Sequence, residues 1–193
     1  RSQVLLAAAG FCLLSSCVYI LNDVFDRDAD RAHPLKRRRP LASGSVGLGA
    51  AFALAAACAI AGFALGAAAS GGVAAVLMAY LVLNLAYSAG LKHVAILDVF
   101  IIAAGFMLRI FAGTWGVGIA PSQWLLLCGL LLTIFLGFAK RRAELMVSEG
   151  DGVSGASQRP VLEEYNPAQL DTMMAISAAG VVVSYSLYTV SPA

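Results

Sequence analysis

Six apolar blocks with almost no charge, at positions 4–21, 48–69, 73–88, 95–117, 124–139 and 170–190, constrain this chain more than any other feature. Each is near the roughly 20 residues an α-helix needs to cross a bilayer, so all six are read as transmembrane helices. The composition agrees. With 60% of residues apolar and 12% charged, the chain lies outside the range of an ordinary soluble domain, and lipid is the solvent for most of it. The fold class is therefore all-α, a polytopic transmembrane helical bundle. Alanine and glycine crowd the second block, as in 50–66, where small residues let backbones approach closely in lipid.

Cys12, Cys17, Cys58 and Cys128 all lie inside apolar blocks, without metal-ligand spacing, and read as small buried hydrophobes. No cleavable signal peptide is visible, because the first block leads into a charged segment instead of a small-residue cleavage site. The chain starts at Arg1, not at methionine. Residues 1–193 are expected to form one membrane-embedded domain that lacks an N-terminal helix and C-terminal helices.

Charge alternates between connections. Segments 27–39, 92–93 and 140–159 are basic, whereas 70–72 and 118–122 carry no charge. The positive-inside rule places every charged segment on the cytoplasmic side, and a preceding helix would account for the first block entering from outside. Net charge, formally +2, is thus concentrated on one membrane face. Two large polar segments, 22–44 and 140–171, share that face, as an active site built over a helical bundle requires. Within the second, Gly150, Asp151, Gly152, Ser154, Gly155 and Ser157 make a turn-rich stretch that reads equally as a lid or a slack connector.

The sharpest chemistry is in Asn22-Asp23-Val24-Phe25-Asp26-Arg27-Asp28-Ala29-Asp30. Helical continuation of the first block puts Asn22, Asp26 and Asp30 at spacings of four, and Asp23 seven before Asp30, all on one face. Like charges on one face repel and ask for a cation. Hard oxygen ligands suit Mg2+, which binds through a few carboxylates plus substrate phosphates. A solvated helix end paired by Arg27 and Arg31 is the alternative. Next comes His33-Pro34-Leu35-Lys36-Arg37-Arg38-Arg39-Pro40-Leu41-Ala42-Ser43-Gly44, a basic run between two prolines. Its cations can hold phosphate oxygens and offset charge on a leaving diphosphate, or serve as a positive-inside signal that attracts anionic lipid.

The run 22–44 resembles the first aspartate-rich motif of UbiA-type prenyltransferases, N-D-x-x-D-x-x-x-D followed by a basic R-P-x-x-x-G segment. The resemblance implies a UbiA-like bundle, Mg2+, a diphosphate substrate and a second substrate entering from the membrane. It assigns Asp23, Asp26 and Asp30 as catalytic metal ligands, with Asn22 in support. The sequence departs from the aromatic prenyltransferases where their second aspartate motif belongs. There it reads Gly137-Phe138-Ala139-Lys140-Arg141-Arg142-Ala143-Glu144-Leu145. With Tyr87-Ser88-x-x-Leu91-Lys92, Leu97-Asp98 and Gly105-Phe106-x-x-Arg109, this resembles the decaprenyl-phosphate phosphoribosyltransferase branch, which moves 5-phosphoribose from phosphoribosyl diphosphate to a polyprenyl phosphate.

More anion to hold calls for more cation, so Lys36, Arg37, Lys140, Arg141 and Arg142 are expected to bind phosphates. Tyr87, Lys92, Asp98, Arg109 and Glu144 complete the expected substrate site. Asp98 and Arg109 fall eleven apart on nearly one helical face, and ionisable groups in lipid turn toward the bundle interior or a polar cavity. Asn84, Tyr87 and Ser88 form a polar patch whose alternative role is helix packing by hydrogen bonds. The expected partners are phosphoribosyl diphosphate, polyprenyl phosphate and the bilayer, with no nucleic acid. The expected place is a bacterial inner membrane, with the active site toward the cytoplasm. Transfer of a prenyl diphosphate to an aromatic acceptor is the rival enzyme reading. A transporter of a phosphorylated lipid or anion is the reading from another class, suited by Arg109 within the membrane.

Overall fold

The computed structural model describes residues 2–32, 36–150 and 160–190. His33 to Leu35 and the stretch 151–159, which holds most of the turn-rich segment, lie outside the described residues. Eight α-helices are present among the described residues: α1 (Ser2–Phe25), α2 (Arg27–Ala32), α3 (Pro40–Ser43), α4 (Leu48–Ala69), α5 (Gly71–Ala89), α6 (Leu97–Gly113), α7 (Gln123–Gly150) and α8 (Pro167–Val190). Short 3-10 turns stand at Lys36–Arg38, Leu91–His93, Trp115–Val117 and Pro160–Glu164. Six helical segments are long and apolar enough to cross a membrane, as the six blocks require. Their outward side chains, among them Leu5, Ile60, Ile176 and Val190, are exposed hydrophobics, which lipid accepts without cost.

Helices run beyond the apolar blocks in two functional places, the first of them the continuation expected from the spacing of the acidic residues. Helix α1 continues past 21 to Phe25 and carries Asn22 and Asp23, while α7 continues past 139 to Gly150. Lys140, Arg141, Arg142 and Glu144 are therefore helical and not part of a loop. Lysine, arginine, alanine, glutamate, leucine and methionine are all good helix formers, so nothing in 140–146 stops a helix once the apolar stretch ends. In contrast, α6 starts two residues later than its block, because Ile96 turns into the left-handed region at φ 68. Helix α8 begins at Pro167, where a missing N–H costs nothing, and Asn166 Oδ1 accepts the Ala168 N–H at 2.9 Å as its cap.

The chain divides into two compact units, Arg1–Ser88 with Phe111–Ile119, and Ala89–Ile110 with Ala120–Ala193. In the first, α1 packs along α4 through a contact only glycine allows. A Cβ on Gly62 would stand 2.9 Å from the Gly10 carbonyl oxygen, and one on Gly10 equally close to that of Gly62. Phe11 and Tyr80 meet nearby with ring centroids 4.6 Å apart. In the second unit, Val99, Ala103, Ile134, Phe138, Val161, Tyr165 and Leu170 form the buried core, so the segment 161–165 is packed structure between α7 and α8.

Candidate active site

The acidic cluster is built by a nearly unbroken helical path. Asp26 stands at the turn between α1 and α2, yet its N–H bonds the Asn22 carbonyl at 2.9 Å and the Asp30 N–H bonds the Asp26 carbonyl at 2.8 Å. The four-residue spacing of Asn22, Asp26 and Asp30 is thus kept across the junction. Asn22 donates from Nδ2 to Asp26 Oδ2 at 3.1 Å and accepts from the Ser88 hydroxyl at 3.3 Å. Ser88, from the polar patch on α5, therefore fixes the asparagine that orients Asp26.

Asp23 and Asp30 converge on one cation. Arg39 Nη1 lies 2.9 Å from Asp23 Oδ1 and 2.9 Å from Asp30 Oδ2, and Asp30 is only 4% exposed. The arginine is delivered by a strap fastened to α2. Arg27 Nε donates to the Leu41 carbonyl at 3.3 Å, Arg31 Nε donates to the Ala42 carbonyl at 3.0 Å, and Leu41 and Ala42 are buried. Proline at the first position of α3 and Gly44 at φ 82 set the strap's two ends. Arg27 and Arg31 thus spend their Nε donors on backbone, and Arg31 also pairs with the exposed Asp28 at 3.7 Å. Lys36 is half-buried and Arg37 exposed on the turn before the strap, and Tyr87 is half-buried on α5.

The second unit holds a separate polar network. Asp98, 0% exposed, receives Arg141 Nε at 2.7 Å and the Tyr165 hydroxyl at 2.5 Å, and its Oδ1 also accepts the Val99 N–H at 2.9 Å. Arg141, 1% exposed, also pairs with Glu144 one turn along α7. The Tyr165 oxygen accepts the Ile96 N–H at 2.7 Å, which holds that β-branched residue in its left-handed conformation. Burial, and then the hydrogen bond to Asp98, push the Tyr165 phenol well above its ordinary range.

Other expected site residues are placed differently. Arg142 pairs with Asp171 at 2.8 Å, Lys140 is exposed and Lys92 is half-buried. Arg109 donates to the Gly105 carbonyl at 3.3 Å and lies 4.8 Å from the centre of the Phe106 ring. Arg141, expected to bind phosphate, pairs with both Asp98 and Glu144, themselves expected to contact substrate. Arg141 and Asp98 are fully enclosed, so their charges are matched internally.

Against known proteins, the model of the UbiA prenyltransferase family matches residues 2–192. The chain belongs to the UbiA prenyltransferase family. It is 39% identical over 98% of its length to a decaprenyl-phosphate phosphoribosyltransferase of Mycolicibacterium smegmatis, and 38% identical over 96% to one of Corynebacterium glutamicum. It spans 59% and 56% of those relatives, respectively. A UbiA homolog from Archaeoglobus fulgidus bound to GPP and Mg2+ superposes with a TM-score of 0.80 at 18% identity, covering 100% of this chain and 68% of that one. The fold is thus the UbiA-like helical bundle, and the protein is integral to the membrane.

Among the described residues, no three carboxylate, imidazole or thiol side chains are gathered as a ready metal site. The donor chemistry of Asp23, Asp26 and Asp30 nevertheless fits Mg2+, and the Arg39 guanidinium stands in for a cation between two of them. Two residues central to these clusters, Arg39 and Tyr165, were not singled out by the sequence. Arg39 is one of four consecutive basic residues, and only the strap distinguishes it. For Tyr165 the available hint was a lone aromatic inside the polar run Glu163-Glu164-Tyr165-Asn166.

Proposed function

We propose that this chain contributes to a Mg2+-dependent transferase that moves 5-phosphoribose from phosphoribosyl diphosphate to a polyprenyl phosphate such as decaprenyl phosphate. The observation that carries the reading is the convergence of Asp23 and Asp30 on one cationic atom, with Asp26 oriented beside them by Asn22. Two carboxylates that already face one cationic atom have the hard oxygen donors that Mg2+ would take together with a diphosphate substrate. The choice of donor and acceptor rests on similarity to the two bacterial phosphoribosyltransferases over nearly the whole chain.

In this reaction the bond from ribose C1 to the diphosphate oxygen breaks and the diphosphate leaves with the electron pair. A lipid phosphate oxygen then forms the new bond to C1. Bound Mg2+ would neutralise charge developing on the diphosphate. Asp23, Asp26 and Asp30 would hold it, Asn22 keeps Asp26 aimed, and Ser88 keeps Asn22 in place. Lys36, Arg37, Lys92, Lys140 and Arg142 offer charge-assisted hydrogen bonds to phosphate oxygens. Tyr87, on α5, and Arg109, on α6, are assigned to substrate contact from the sequence resemblance alone. Asp98, Arg141 and Glu144 act as a positioning set that fixes the start of α6 against α7. The charged segments face the cytoplasm, where phosphoribosyl diphosphate as a soluble anion can enter, in a bacterial inner membrane.

Labelled phosphoribosyl diphosphate supplied to the full-length enzyme with several polyprenyl phosphates should give lipid-linked phosphoribose only with Mg2+ present. Asp26→Asn should lower that turnover by at least roughly tenfold while the protein remains folded in the membrane, because it deletes a ligand at nearly constant size. Transfer of a prenyl group to an aromatic acid in the same assay, with no phosphoribosyl product, would overturn the donor assignment.

A further inference from the structure

Arg39 is held in place by more than its two carboxylates. Its backbone N–H bonds the Lys36 carbonyl at 2.9 Å, Pro40 follows it directly, and the strap behind it is tied to α2 by Arg27 and Arg31. A surface ion pair usually contributes little, since two long side chains must be ordered to make it. Here the backbone has already done that ordering. One nitrogen, Nη1, meets oxygens from two aspartates seven residues apart, one of them almost wholly buried. A buried carboxylate without a counter-charge would be costly, so Asp30 needs a cation in every state of the protein.

We infer that Arg39 is a resident counter-ion which occupies the position between Asp23 and Asp30 when no metal is bound and gives it up when a divalent cation enters. The inference rests on the magnesium reading proposed above and concerns how that site is kept ready. Nitrogen-to-oxygen contacts of 2.9 Å bring Asp23 and Asp30 to one cationic atom, and their carboxylate oxygens are the hard ligands that magnesium takes. The guanidinium therefore keeps Asp23 and Asp30 facing each other without repulsion, and a metal held by the same oxygens would take the place of Nη1. Released, Arg39 sits next to the incoming diphosphate with its fork of donors available, so one side chain serves the empty and the loaded states in turn. Competition between the two cations lowers the affinity for metal alone and makes tight binding depend on a phosphate group that receives the displaced guanidinium.

The test uses the full-length protein purified in detergent, with Mn2+ as the probe, followed by its electron paramagnetic resonance signal and by calorimetry. Arg39→Gln should bind Mn2+ alone at least about fivefold more tightly than the wild type, the lower end of ordinary coupling between two bound groups. Arg39→Lys, whose ammonium can also bridge two carboxylates, should stay near the wild-type affinity. In the unmutated protein, modification of Arg39 by phenylglyoxal, located by peptide mass spectrometry, should accelerate when Mg2+ is added without substrate. This measurement needs no variant to fold. Metal binding by the wild type that is equal or weaker in Arg39→Gln, or Arg39 reactivity that Mg2+ leaves unchanged, would overturn the exchange while leaving the magnesium site standing. Absence of any Mn2+ binding to the wild type would instead overturn the magnesium reading, and the exchange with it.

Discussion

Arg141 illustrates how the surroundings of one residue decide its work. From its place at a basic helix end it is expected to bind phosphate or to set topology; here it is enclosed and paired with Asp98 and Glu144, which supports the positioning role proposed for it. Arg141→Ala leaves the carboxylate of Asp98 buried with one cationic partner gone, which costs about 3–5 kcal/mol. Thermal unfolding in detergent should show a large drop, and Arg141→Lys should recover only part of it, since lysine keeps the charge but not the forked geometry. Loss of affinity for phosphoribosyl diphosphate at unchanged thermal stability would instead return Arg141 to phosphate binding. Tyr165 supports the same carboxylate. Its folded pKa is raised above the unfolded value near 10, so its contribution is complete below about pH 10 and is lost as the pH rises through the folded value. Wild-type protein should therefore lose stability above pH 10 more steeply than Tyr165→Phe. At neutral pH that variant should be about 1–3 kcal/mol less stable, having lost the hydrogen bond to Asp98 and the acceptor for the Ile96 N–H.

Among elements, the pairing of α1 with α4 and the length of α7 matter most to the clusters. Close approach at Gly10 and Gly62 fixes α1, and with it the height at which Asn22 and Asp23 leave the membrane-spanning part of the helix. A methyl group on Gly62 would meet backbone, which cannot swing aside. Gly62→Ala should cost about 1–3 kcal/mol in thermal unfolding, whereas Ala61→Leu on the exposed side of α4 should be nearly neutral. Equal tolerance of both changes would show that α1 has room to shift. The extension of α7 to Gly150 is what brings Arg141 and Glu144 one turn apart on a common face. Had the apolar stretch ended in a loop, as the change of composition at Lys140 suggested, Arg141 could not be buried against Asp98 at the first turn of α6.

For the whole molecule, the alternation of charged and uncharged connections predicts a single sidedness. The strap residue Ser43, exposed and next to Gly44, is suited to report it. A cysteine placed there should react with a membrane-impermeant maleimide in inside-out vesicles and not in intact cells. Labelling from outside would reverse the topology and remove access of a soluble sugar diphosphate to the carboxylates. Family membership and the superposition support the membrane-spanning helical bundle itself, since the matched family model covers residues 2–192 and the likeness to a UbiA homolog extends over the whole chain, and the sidedness is what this labelling tests.

Sequence alone determined the six spans, because lipid demands long charge-free helices and almost nothing else meets that demand. It also determined the spacing of Asn22, Asp26 and Asp30, since a helix repeats every 3.6 residues whatever surrounds it. Which cation serves those carboxylates was a tertiary decision. Four adjacent basic residues, Lys36 to Arg39, are equivalent as letters, and only a proline-led strap tied down by Arg27 and Arg31 carries the last of them to Asp23 and Asp30. The same holds for Arg141 and Tyr165, which stand 43 and 67 positions along the chain from Asp98, the aspartate they serve. Charges so distant along the chain can be matched only where folding has already removed them from water, and there the cost of an unmatched charge selects the partner.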